Sequence, residues 1–238
     1  MDVALIAAMD EEVAALRQKL HAEQEAATPF AHLPIYRGKL HDLEAVVVRC
    51  GIGKVNAALA TQYTIDHFNP QVILTSGVAG GISPQVSIGD IVVATGAQQH
   101  DFDARSFGYA RGVIPRLQES LFPADARLAE LAAAAAAEQL GAHRVHKGLV
   151  VSGDLFVGSR EQREEILRFF PAALCADMEA AAIAHVAALN RVPYLIVQAI
   201  SDEADEQASK AFYQTLEDVL AGLNAVVDRL LQDLRTRL

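Results

Sequence analysis

Three acidic residues that each follow an apolar run are the strongest chemical signal in this sequence. The acids are Glu12, Glu179 and Asp202, and the runs before them cover residues 3–8, 172–176 and 194–200. Uninterrupted apolar runs are typical of strands that are buried on both faces of a parallel sheet. Ligands of such sheets bind beyond the carboxyl ends of the strands. Three acids that meet there predict acid/base chemistry on a neutral organic substrate.

Size and composition favour a single α/β domain over residues 1–238. The chain has 238 residues, of which 52% are hydrophobic and 21% charged, and these values predict a globular protein with one sizeable core. The net charge is −10. An acidic chain without a basic block does not favour nucleic acid or anionic lipid as a partner.

The cysteines and the start of the chain indicate a cytoplasmic protein. Cys50 and Cys175 lie inside apolar runs and match no zinc or redox spacing, so we expect two reduced core residues. A strand begins at Val3 without the basic start and cleavage site of a signal peptide. The sequence contains no uncharged apolar stretch long enough to span a bilayer.

Strand and helix patterns alternate along the chain, as they do in α/β proteins. Apolar runs predict strands at 3–8, 35–40, 43–49, 72–75, 88–94, 145–152 and 194–200. Apolar residues at helical spacing predict helices at 11–21, 55–67, 123–140, 160–169, 179–189 and 212–234. Small residues predict a loop at 76–81, and turn residues predict a loop-rich segment at 96–124.

Two glycine-rich segments, 51–53 and 77–81, lack the residues of a phosphate loop or of a dinucleotide fingerprint. Either segment alone is typical of a tight turn, although glycine also lets the backbone approach a flat ligand closely. The position of 77–81 directly after a strand suits that second use. Acids at positions 10–12 disfavour phosphate at the end of the first strand, because like charges repel.

Several polar motifs also have ordinary structural explanations when each is taken alone. Glu179 suits the first turn of a helix, and Ser201-Asp202 suits an N-cap. His100-Asp101 and Asp103 could be metal ligands, but no further histidine lies nearby in the sequence, so we expect structural or loop roles.

Seven short segments, taken together, resemble one protein family in their order and spacing. They are AAMDEE (7–12), SGVAGG (76–81), HDFD (100–103), FGY (107–109), VSGDLF (151–156), MEA (178–180) and ISD (200–202). The chain resembles the bacterial 5′-methylthioadenosine/S-adenosylhomocysteine nucleosidases, which belong to the nucleoside phosphorylase superfamily. The resemblance extends from Val3 to about Phe212. It implies a three-layer α/β/α fold with a mixed central sheet, and a homodimer.

The resemblance also implies an irreversible hydrolysis of an N-glycosidic bond, which gives adenine and a 5-substituted ribose. Glu12 resembles the base that activates water, and Asp202, supported by Ser201, resembles the acid that protonates adenine at N7. Glu179 resembles the acceptor for the ribose hydroxyls, with Met178 against the sugar. Glu12 must then be ionised while Asp202 is protonated, so we expect the site to drive the two carboxyl groups to opposite states.

The remaining implied positions form the walls of the pocket, and no metal or organic cofactor is implied. Phe156 would stack on adenine while the backbone of Val157 reads its edge. The other implied positions are Ile52 and Phe212 in the apolar pocket, Val78, Ala79 and Gly80 in the substrate-binding segment, and Phe107 and Pro115, which resemble residues that reach the partner's pocket beside the alkylthio group.

Three residues depart from the family pattern. Val78 stands where serine is usual, Gln198 where arginine is usual, and Asp177 where valine is usual. Positions 78 and 198 lie near the attacking water in the family pattern, so the resemblance predicts a water site that is held differently here. Asp177 is similar to the phosphorylase side of the superfamily.

Three alternative functions stay open on the sequence alone. An aminodeoxyfutalosine nucleosidase of menaquinone synthesis would share the adenine and ribose contacts. A phosphate-dependent nucleoside phosphorylase would need arginines or a glycine loop where this chain carries the acids at 10–12. A non-catalytic nucleoside-binding protein is disfavoured because Glu12, Glu179 and Asp202 are all present.

Overall fold

The fold is described from a computed structural model, which covers residues 1–30 and 32–236. The strands are β1 (Val3–Ala7), β2 (His21–Ala26), β3 (Ile35–Leu40), β4 (Leu43–Arg49), β5 (Val72–Gly81), β6 (Ile91–Gln99), β7 (Leu121–Pro123), β8 (Val145–Ser152), β9 (Ala173–Asp177) and β10 (Tyr194–Asp202). The helices are α1 (Asp10–Lys19), α2 (Lys54–Phe68), α3 (Ala126–Leu140), α4 (Arg160–Phe169), α5 (Ala180–Leu189) and α6 (Ala208–Arg235).

All ten strands join one mixed sheet, part of which closes on itself. The strands β5, β10, β6, β8 and β9 each pair with the next, and β9 pairs back with β5. From β5 the sheet continues through β1, β4 and β3 to β2. Because β1, β5 and β10 are parallel neighbours, their carboxyl ends open on the same side of the sheet.

Helices cover both faces of the sheet, so the predicted three-layer α/β/α architecture is confirmed. On one face, α1, α3 and α6 pack their apolar residues against β1, β4, β5 and β10. On the other face, α2 and α5 pack mainly through small side chains, such as Ala57 and Ala60 in α2 and Ala180, Ala184 and Ala187 in α5. Alanine lets these helices lie close to the strands, because its side chain occupies little space between the layers.

The segment 76–81, predicted as a loop, is instead the second half of β5. Its residues up to Gly80 pair with β10, where Gly77 lies opposite Gln198, and its last two residues, Gly80 and Gly81, pair with β9. Glycine is unfavourable in an isolated strand, but pairing with neighbouring strands outweighs that preference here. The prediction of a loop was therefore wrong, although the sequence motif itself is at the site.

Other elements also differ from the sequence predictions, and one of them, β7, is a short strand within the segment 96–124 that was predicted to be rich in loops. The strand β2 was not predicted, because its sequence, HAEQEA, is mostly polar and lacks the alternation of a half-buried strand. It pairs with β3 alone, at the edge of the sheet, where strands tolerate polar residues. The strand β6 continues five residues beyond the predicted end at 94, and α6 begins at Ala208 rather than at 212.

Both cysteines are buried and free, as predicted. No helix in the described ranges is both long and apolar enough to cross a membrane.

Candidate active site

A cavity of about 510 Å³ opens at the carboxyl ends of β1, β5, β9 and β10. All of the predicted catalytic and substrate-binding residues line it: Glu12, Ile52, Val78, Ala79, Gly80, Phe156, Val157, Met178, Glu179, Ser201, Asp202 and Phe212. The strand ends bring most of these distant segments together, because the segments end or follow strands of the same sheet, and Phe212 is added from α6.

Backbone amides, rather than cations, hold the Glu12 carboxylate in place. Glu12 lies in the first turn of α1, where its Oε2 accepts from the backbone N–H groups of Ala8 and Met9 at 2.9 Å each. Its Oε1 accepts from the N–H of Val78 in β5 at 3.1 Å. The side chain thus joins the ends of two neighbouring strands. Burial raises the pKa of Glu12 to about 7, although the amide hydrogen bonds oppose this shift.

A β-bulge directs Asp202 into the cavity. The pairing of β10 with β5 shifts register between Ile200 and Asp202, so one extra residue, Ser201, is accommodated there. The Ser201 hydroxyl donates to Asp202 Oδ2 at 2.9 Å, and the N–H of Ala204 donates to Oδ1 at 2.9 Å. Burial raises the pKa of the Asp202 carboxyl, with these two donors acting in the opposite direction.

Glu179 occupies the N-cap position of α5, but its side chain makes no capping hydrogen bond. It instead accepts from the N–H of Gly53, in the turn before α2, at 2.6 Å. Burial raises the pKa of Glu179, and the neighbouring charge of Asp177 raises it further. The first-turn explanation for this acid is therefore insufficient, because the carboxylate faces a different segment of the chain.

The two catalytic candidates do not have pKa values shifted in opposite directions. Burial raises the pKa of both Glu12 and Asp202, so the expected opposite protonation states stay a prediction and do not follow from opposite pKa shifts. The direction for Asp202 favours the protonated form that an acid needs. A pKa near 7 leaves Glu12 divided between its two forms at neutral pH.

Glycines in β5 make room for the acids. A Cβ atom on Gly77 would lie 2.6 Å from Glu12 Oε1, and one on Gly80 would lie 3.0 Å from Asp202 Oδ1. Real Cβ atoms do not approach an oxygen so closely without displacing it. The glycines of this segment therefore allow the carboxyl groups to lie against the strand backbone.

Apolar and aromatic side chains form the more open walls of the cavity. Ile52 and Phe156 are 56% and 46% exposed, on the loops before α2 and after β8. Phe212 and Tyr213 follow one another on α6, with ring centroids 5.5 Å apart. A flat heterocycle fits such a surface, because aromatic rings and aliphatic side chains pack well against its faces.

The described residues that line the cavity include five acids and no lysine, arginine or histidine. The acids are Glu11, Glu12, Asp177, Glu179 and Asp202. Such a lining repels anions, and it therefore disfavours phosphate as a second substrate. It suits a reaction in which positive charge develops on the bound molecule.

Two predicted pocket residues, Phe107 and Pro115, do not line the cavity of their own chain. Phe107 is 82% exposed and lies in a single turn of 3-10 helix, Arg105–Phe107, between β6 and β7. Pro115 lies in the same connection and is partly buried. Both positions remain predictions that concern a partner subunit.

The residues of the His100 motif are in a structural cluster behind the site. Asp101 accepts from Lys54 Nζ at 2.6 Å and from the N–H of Asp154 at 3.0 Å, so it ties together the loops that carry Ile52 and Phe156. Asp103 pairs with Arg105. His100 is buried, and burial lowers its pKa to about 4.

The sequence analysis missed part of the lining. The additional residues are Ala8, Met9, Glu11, Leu155, Ala176, Asp177, Ser209, Tyr213 and Leu216. Three of them had a usable signal: positions 209 and 216 lie three and four residues from Phe212, and position 213 lies four residues from 209 and three from 216. Asp177 was noticed only as a departure from the family pattern, and that departure did not indicate where its side chain lies.

Comparisons with known proteins agree with this geometry. Residues 2–232 match the sequence profile of the phosphorylase superfamily. A 5′-methylthioadenosine/S-adenosylhomocysteine nucleosidase of Staphylococcus saprophyticus is 41% identical over 230 residues, which cover 97% of this chain and 99% of that protein.

Solved structures give the same result. The 5′-methylthioadenosine/S-adenosylhomocysteine nucleosidase of Neisseria meningitidis, in complex with methylthio-immucillin-A, matches with a TM-score of 0.92 and 38% identity, covering 98% of this chain and 99% of that one. A futalosine hydrolase of Helicobacter pylori matches with a TM-score of 0.89 and 30% identity, covering 98% of each chain. The chain belongs to the phosphorylase superfamily and, within it, to the 5′-methylthioadenosine/S-adenosylhomocysteine nucleosidases.

Proposed function

We propose that this protein is an N-glycosyl hydrolase that cleaves 5′-methylthioadenosine, S-adenosylhomocysteine and related 5′-substituted adenosines. The products are adenine and the corresponding 5-substituted ribose. The observation that carries the proposal is the convergence of Glu12, Glu179 and Asp202 on one cavity whose lining contains no cationic side chain among the described residues. Family membership and the nucleosidases named above support the same reaction.

Asp202 is the acid in this proposal. The glycosidic bond breaks as adenine leaves, and the departing ring gains negative charge that a proton on N7 neutralises. A protonated Asp202 donates that proton, and burial favours the protonated form beforehand. After the transfer, the donors Ser201 Oγ and Ala204 N–H stabilise the carboxylate that remains.

Glu12 is the base. A water molecule attacks the anomeric carbon, its oxygen forms the new bond to the sugar, and one of its protons passes to Glu12. The amide donors of Ala8, Met9 and Val78 fix the carboxylate in one orientation, so it can receive the proton without first reorganising.

The acid cluster binds the transition state more strongly than it binds the neutral substrate. In the free protein, burial and mutual repulsion raise the pKa values of Glu12 and Glu179. A sugar with oxocarbenium character carries positive charge between these groups, and that charge stabilises their ionised forms. The interaction is therefore stronger with the transition state than with the neutral substrate, which is the requirement for catalysis.

The apolar walls suit the two ends of the substrate. In this proposal Phe156 stacks on adenine, the backbone of Val157 contacts its edge, and Glu179 with Met178 binds the ribose; all four residues line the cavity. Ile52, Phe212 and Tyr213 offer apolar surface to a 5′-alkylthio group. The segment 78–80 forms the β5 wall of the site.

We also propose that the protein is a homodimer, in which Phe107 and Pro115 complete the partner's cavity. The exposure of Phe107, 82%, is compatible with this, because its ring is free to contact a partner subunit. Sedimentation of the wild type and of Phe107→Ser tests it. A monomeric wild type would contradict the proposal. The cytoplasmic location stays a prediction.

A phosphate-controlled assay tests the reaction class. The protein is incubated with methylthioadenosine, with and without phosphate, and free adenine is measured. We expect equal rates in both conditions. Release that requires phosphate would identify a phosphorylase, and no release with any of the substrates would support a binding protein.

Aminodeoxyfutalosine is the second candidate substrate, favoured by the structural match to the futalosine hydrolase of Helicobacter pylori. Its adenine and ribose would make the same contacts as those of methylthioadenosine. Comparison of kcat/KM for methylthioadenosine, S-adenosylhomocysteine and aminodeoxyfutalosine therefore reports on the 5′ substituent alone.

A further inference from the structure

A buried polar cluster beside the cavity has no role in the mechanism so far. It consists of Ser152 at the end of β8, Asp177 at the end of β9 and Gln198 in β10. Their exposed fractions are 0%, 8% and 3%. Buried polar groups of this kind are costly unless they are hydrogen-bonded, so their contacts indicate what they do.

Asp177 is surrounded by hydrogen-bond donors. Ser152 Oγ donates to Oδ1, and Gln198 Nε2 donates to Oδ2 at 2.5 Å. The backbone N–H groups of Glu179 and Ala180, at the start of α5, also point at this carboxylate, at 3.4 and 3.3 Å. Burial raises the pKa of Asp177 to about 6, and these four donors oppose the shift, so the carboxyl group is mostly ionised at neutral pH and then only accepts hydrogen bonds.

The ionised form of Asp177 fixes the orientation of the Gln198 amide. An ionised carboxylate cannot donate, so the neighbouring amide must present its NH₂ group to Asp177. The carbonyl oxygen, Oε1, is then directed to the other side of the side chain. Among the described residues it has no hydrogen-bond partner, although it is fully buried.

The free oxygen of Gln198 and a carboxylate oxygen of Glu12 converge on Gly77. A Cβ atom on that glycine would lie 3.2 Å from Gln198 Oε1 and 2.6 Å from Glu12 Oε1. Both atoms are acceptors, and neither can satisfy the other while Glu12 is ionised. A molecule with two O–H donors satisfies both, and water is the smallest such molecule.

We infer that Asp177 is a positioning residue that acts through Gln198, whose Oε1 holds the attacking water together with Glu12. The inference rests on the proposed hydrolysis, because it concerns the nucleophile of that reaction. The water donates one hydrogen to each oxygen, and its lone pairs are left to face the sugar.

The bond changes in the reaction are consistent with this arrangement. When the water oxygen bonds to the anomeric carbon, the bond from that carbon to adenine breaks. The hydrogen that faces Glu12 is transferred as a proton, and the other stays on the new hydroxyl group and remains bonded to Gln198. Adenine takes its own proton from Asp202, so the charges balance.

The same contact explains why two departures from the family pattern occur together. Aspartate at 177 and glutamine at 198 are direct hydrogen-bond partners in this structure. With valine at 177, nothing there would fix a glutamine amide, and its two ends could exchange. The hydrogen bond to Asp177 thus fixes the direction of the Gln198 amide. The oriented amide takes the place of the charged side chain that is usual at position 198.

Asp177→Asn tests the inference because it reverses the amide. An asparagine would present its own NH₂ group to Gln198, which would then turn its carbonyl oxygen to Asn and its NH₂ group to Glu12. We expect kcat for methylthioadenosine hydrolysis to fall by about tenfold or more, with KM changed far less, because water activation is lost while substrate binding is kept.

A double-mutant cycle with Gln198→Leu distinguishes positioning from a purely structural effect. If Asp177 acts through Gln198, kcat of the double variant equals that of Gln198→Leu alone, within about twofold. If the two losses multiply instead, the inference is wrong. Asp90→Asn is the matched control, because Asp90 is also a buried aspartate, bonded to His146 and Ser87 away from the cavity. Its kcat and KM should stay at the wild-type values.

A crystal structure of the wild type at a resolution that shows water provides a test independent of variants and of activity. We expect an ordered water within about 3.2 Å of both Gln198 Oε1 and Glu12 Oε1. The lack of a water there would overturn the inference even if adenine is released. Failure of the wild type to release adenine would instead count against the proposed function. The electron density would still decide the position of the water.

Discussion

Two cavities of similar volume, lined in part by the same helix, differ in how their acids are balanced. The site cavity, about 510 Å³, uses the first turns of α6 through Phe212 and Leu216. The second cavity, about 530 Å³, includes Asp228 near the other end of α6. The two regions are about 18 Å apart along the helix axis, at 1.5 Å per residue between Leu216 and Asp228.

Asp228, one of the two acids that line the second cavity, forms an ion pair with Lys19 and a hydrogen bond with His41. Asp228 Oδ1 lies 2.8 Å from Lys19 Nζ and 2.9 Å from His41 Nε2. Burial alone would raise the pKa of Asp228, but the hydrogen bonds and charges of Lys19 and His41 lower it below its ordinary value. Its ionised form is thus already satisfied in the free protein.

The acids of the site cavity have one another as neighbours instead. Burial raises the pKa of Glu12, and the charge of Asp177 adds to the effect. A paired acid such as Asp228 has nothing to gain from a ligand, whereas unpaired buried acids become more stable when a cationic group enters. Cavity size therefore does not distinguish the two regions. They differ in that no cationic side chain among the described residues balances the acids of the site cavity.

The largest effect is expected at Asp202, the proposed acid that protonates adenine. Asp202→Asn cannot donate a proton to adenine, so kcat for methylthioadenosine should fall by ~10²–10⁴-fold or more. Calorimetric titration with methylthioadenosine should show binding largely intact. Asp228→Asn serves as the control and should release adenine at the wild-type rate. Turnover retained by Asp202→Asn would remove Asp202 from the role of acid.

The second prediction concerns β5, the strand against which Glu12 and Asp202 lie. Gly77→Ala would place a methyl group 2.6 Å from Glu12 Oε1, so either the carboxylate or the strand must move. Because displacements of this size at a catalytic group can cost ~10²-fold, we expect kcat to fall by about one to two orders of magnitude. The measurement is steady-state release of adenine from methylthioadenosine.

Gly222→Ala in α6 is the matched control for that change. A methyl group there meets Leu140 Cδ2 at 3.7 Å, which is an ordinary contact. Alanine is also the better helix former, so the control should unfold at an equal or higher temperature and keep full activity. Equal loss of activity in both variants would show that Gly77 has no special relation to Glu12.

These glycines also show how far the sequence alone could lead. The parallel strands, the acids at their carboxyl ends and the family resemblance were sufficient to place Glu12, Glu179 and Asp202 in one site. The segment 76–81 was recognised as part of the site, yet its conformation was predicted incorrectly. Its strand depends on partners about 100 and 120 residues away, Ala176 and Gln198, and local propensity carries no information about them.

The buried polar contacts could not be predicted from the sequence for a similar reason. Asp177 and Gln198 were both noticed as departures from the family pattern, but their contact depends on how β9 and β10 pack side by side with β5. The pKa of Glu12 could not be predicted either, since it depends on how deeply α1 and β5 enclose the carboxylate. A pattern of residue types specifies neither the depth of burial nor the direction of a side chain.

The third prediction uses the pH dependence of stability. The folded chain keeps the Glu12 proton up to about pH 7, whereas an unfolded glutamate loses it near 4.5. The unfolded state therefore binds fewer protons between these values, and stability falls as the pH rises through them. The expected contribution is about 3 kcal/mol in the free energy of unfolding. Glu12→Gln should reduce the decrease in Tm from pH 5 to pH 8, measured by calorimetry.

The fourth and smallest effect is expected in the second cavity. Asp228→Asn removes a partly exposed pair with Lys19, whose side chain is 49% exposed, and such pairs contribute about 0–1 kcal/mol. The sign with pH is opposite to that of Glu12, because the pKa of Asp228 is lowered on folding. Its contribution is present above about pH 4 and is lost as the pH falls through the folded value.

Chemical denaturation of Asp228→Asn at pH 7 and pH 3 therefore tests how much the Asp228 pair in the second cavity contributes to stability. The variant should be slightly less stable than the wild type at pH 7, and the difference should shrink with added salt and as the pH falls from 7 to 3. Adenine release should stay unchanged throughout. A large loss of activity would mean that the two ends of α6 are coupled. The second cavity, whose Asp228 is paired, could then no longer be regarded as separate from the site cavity.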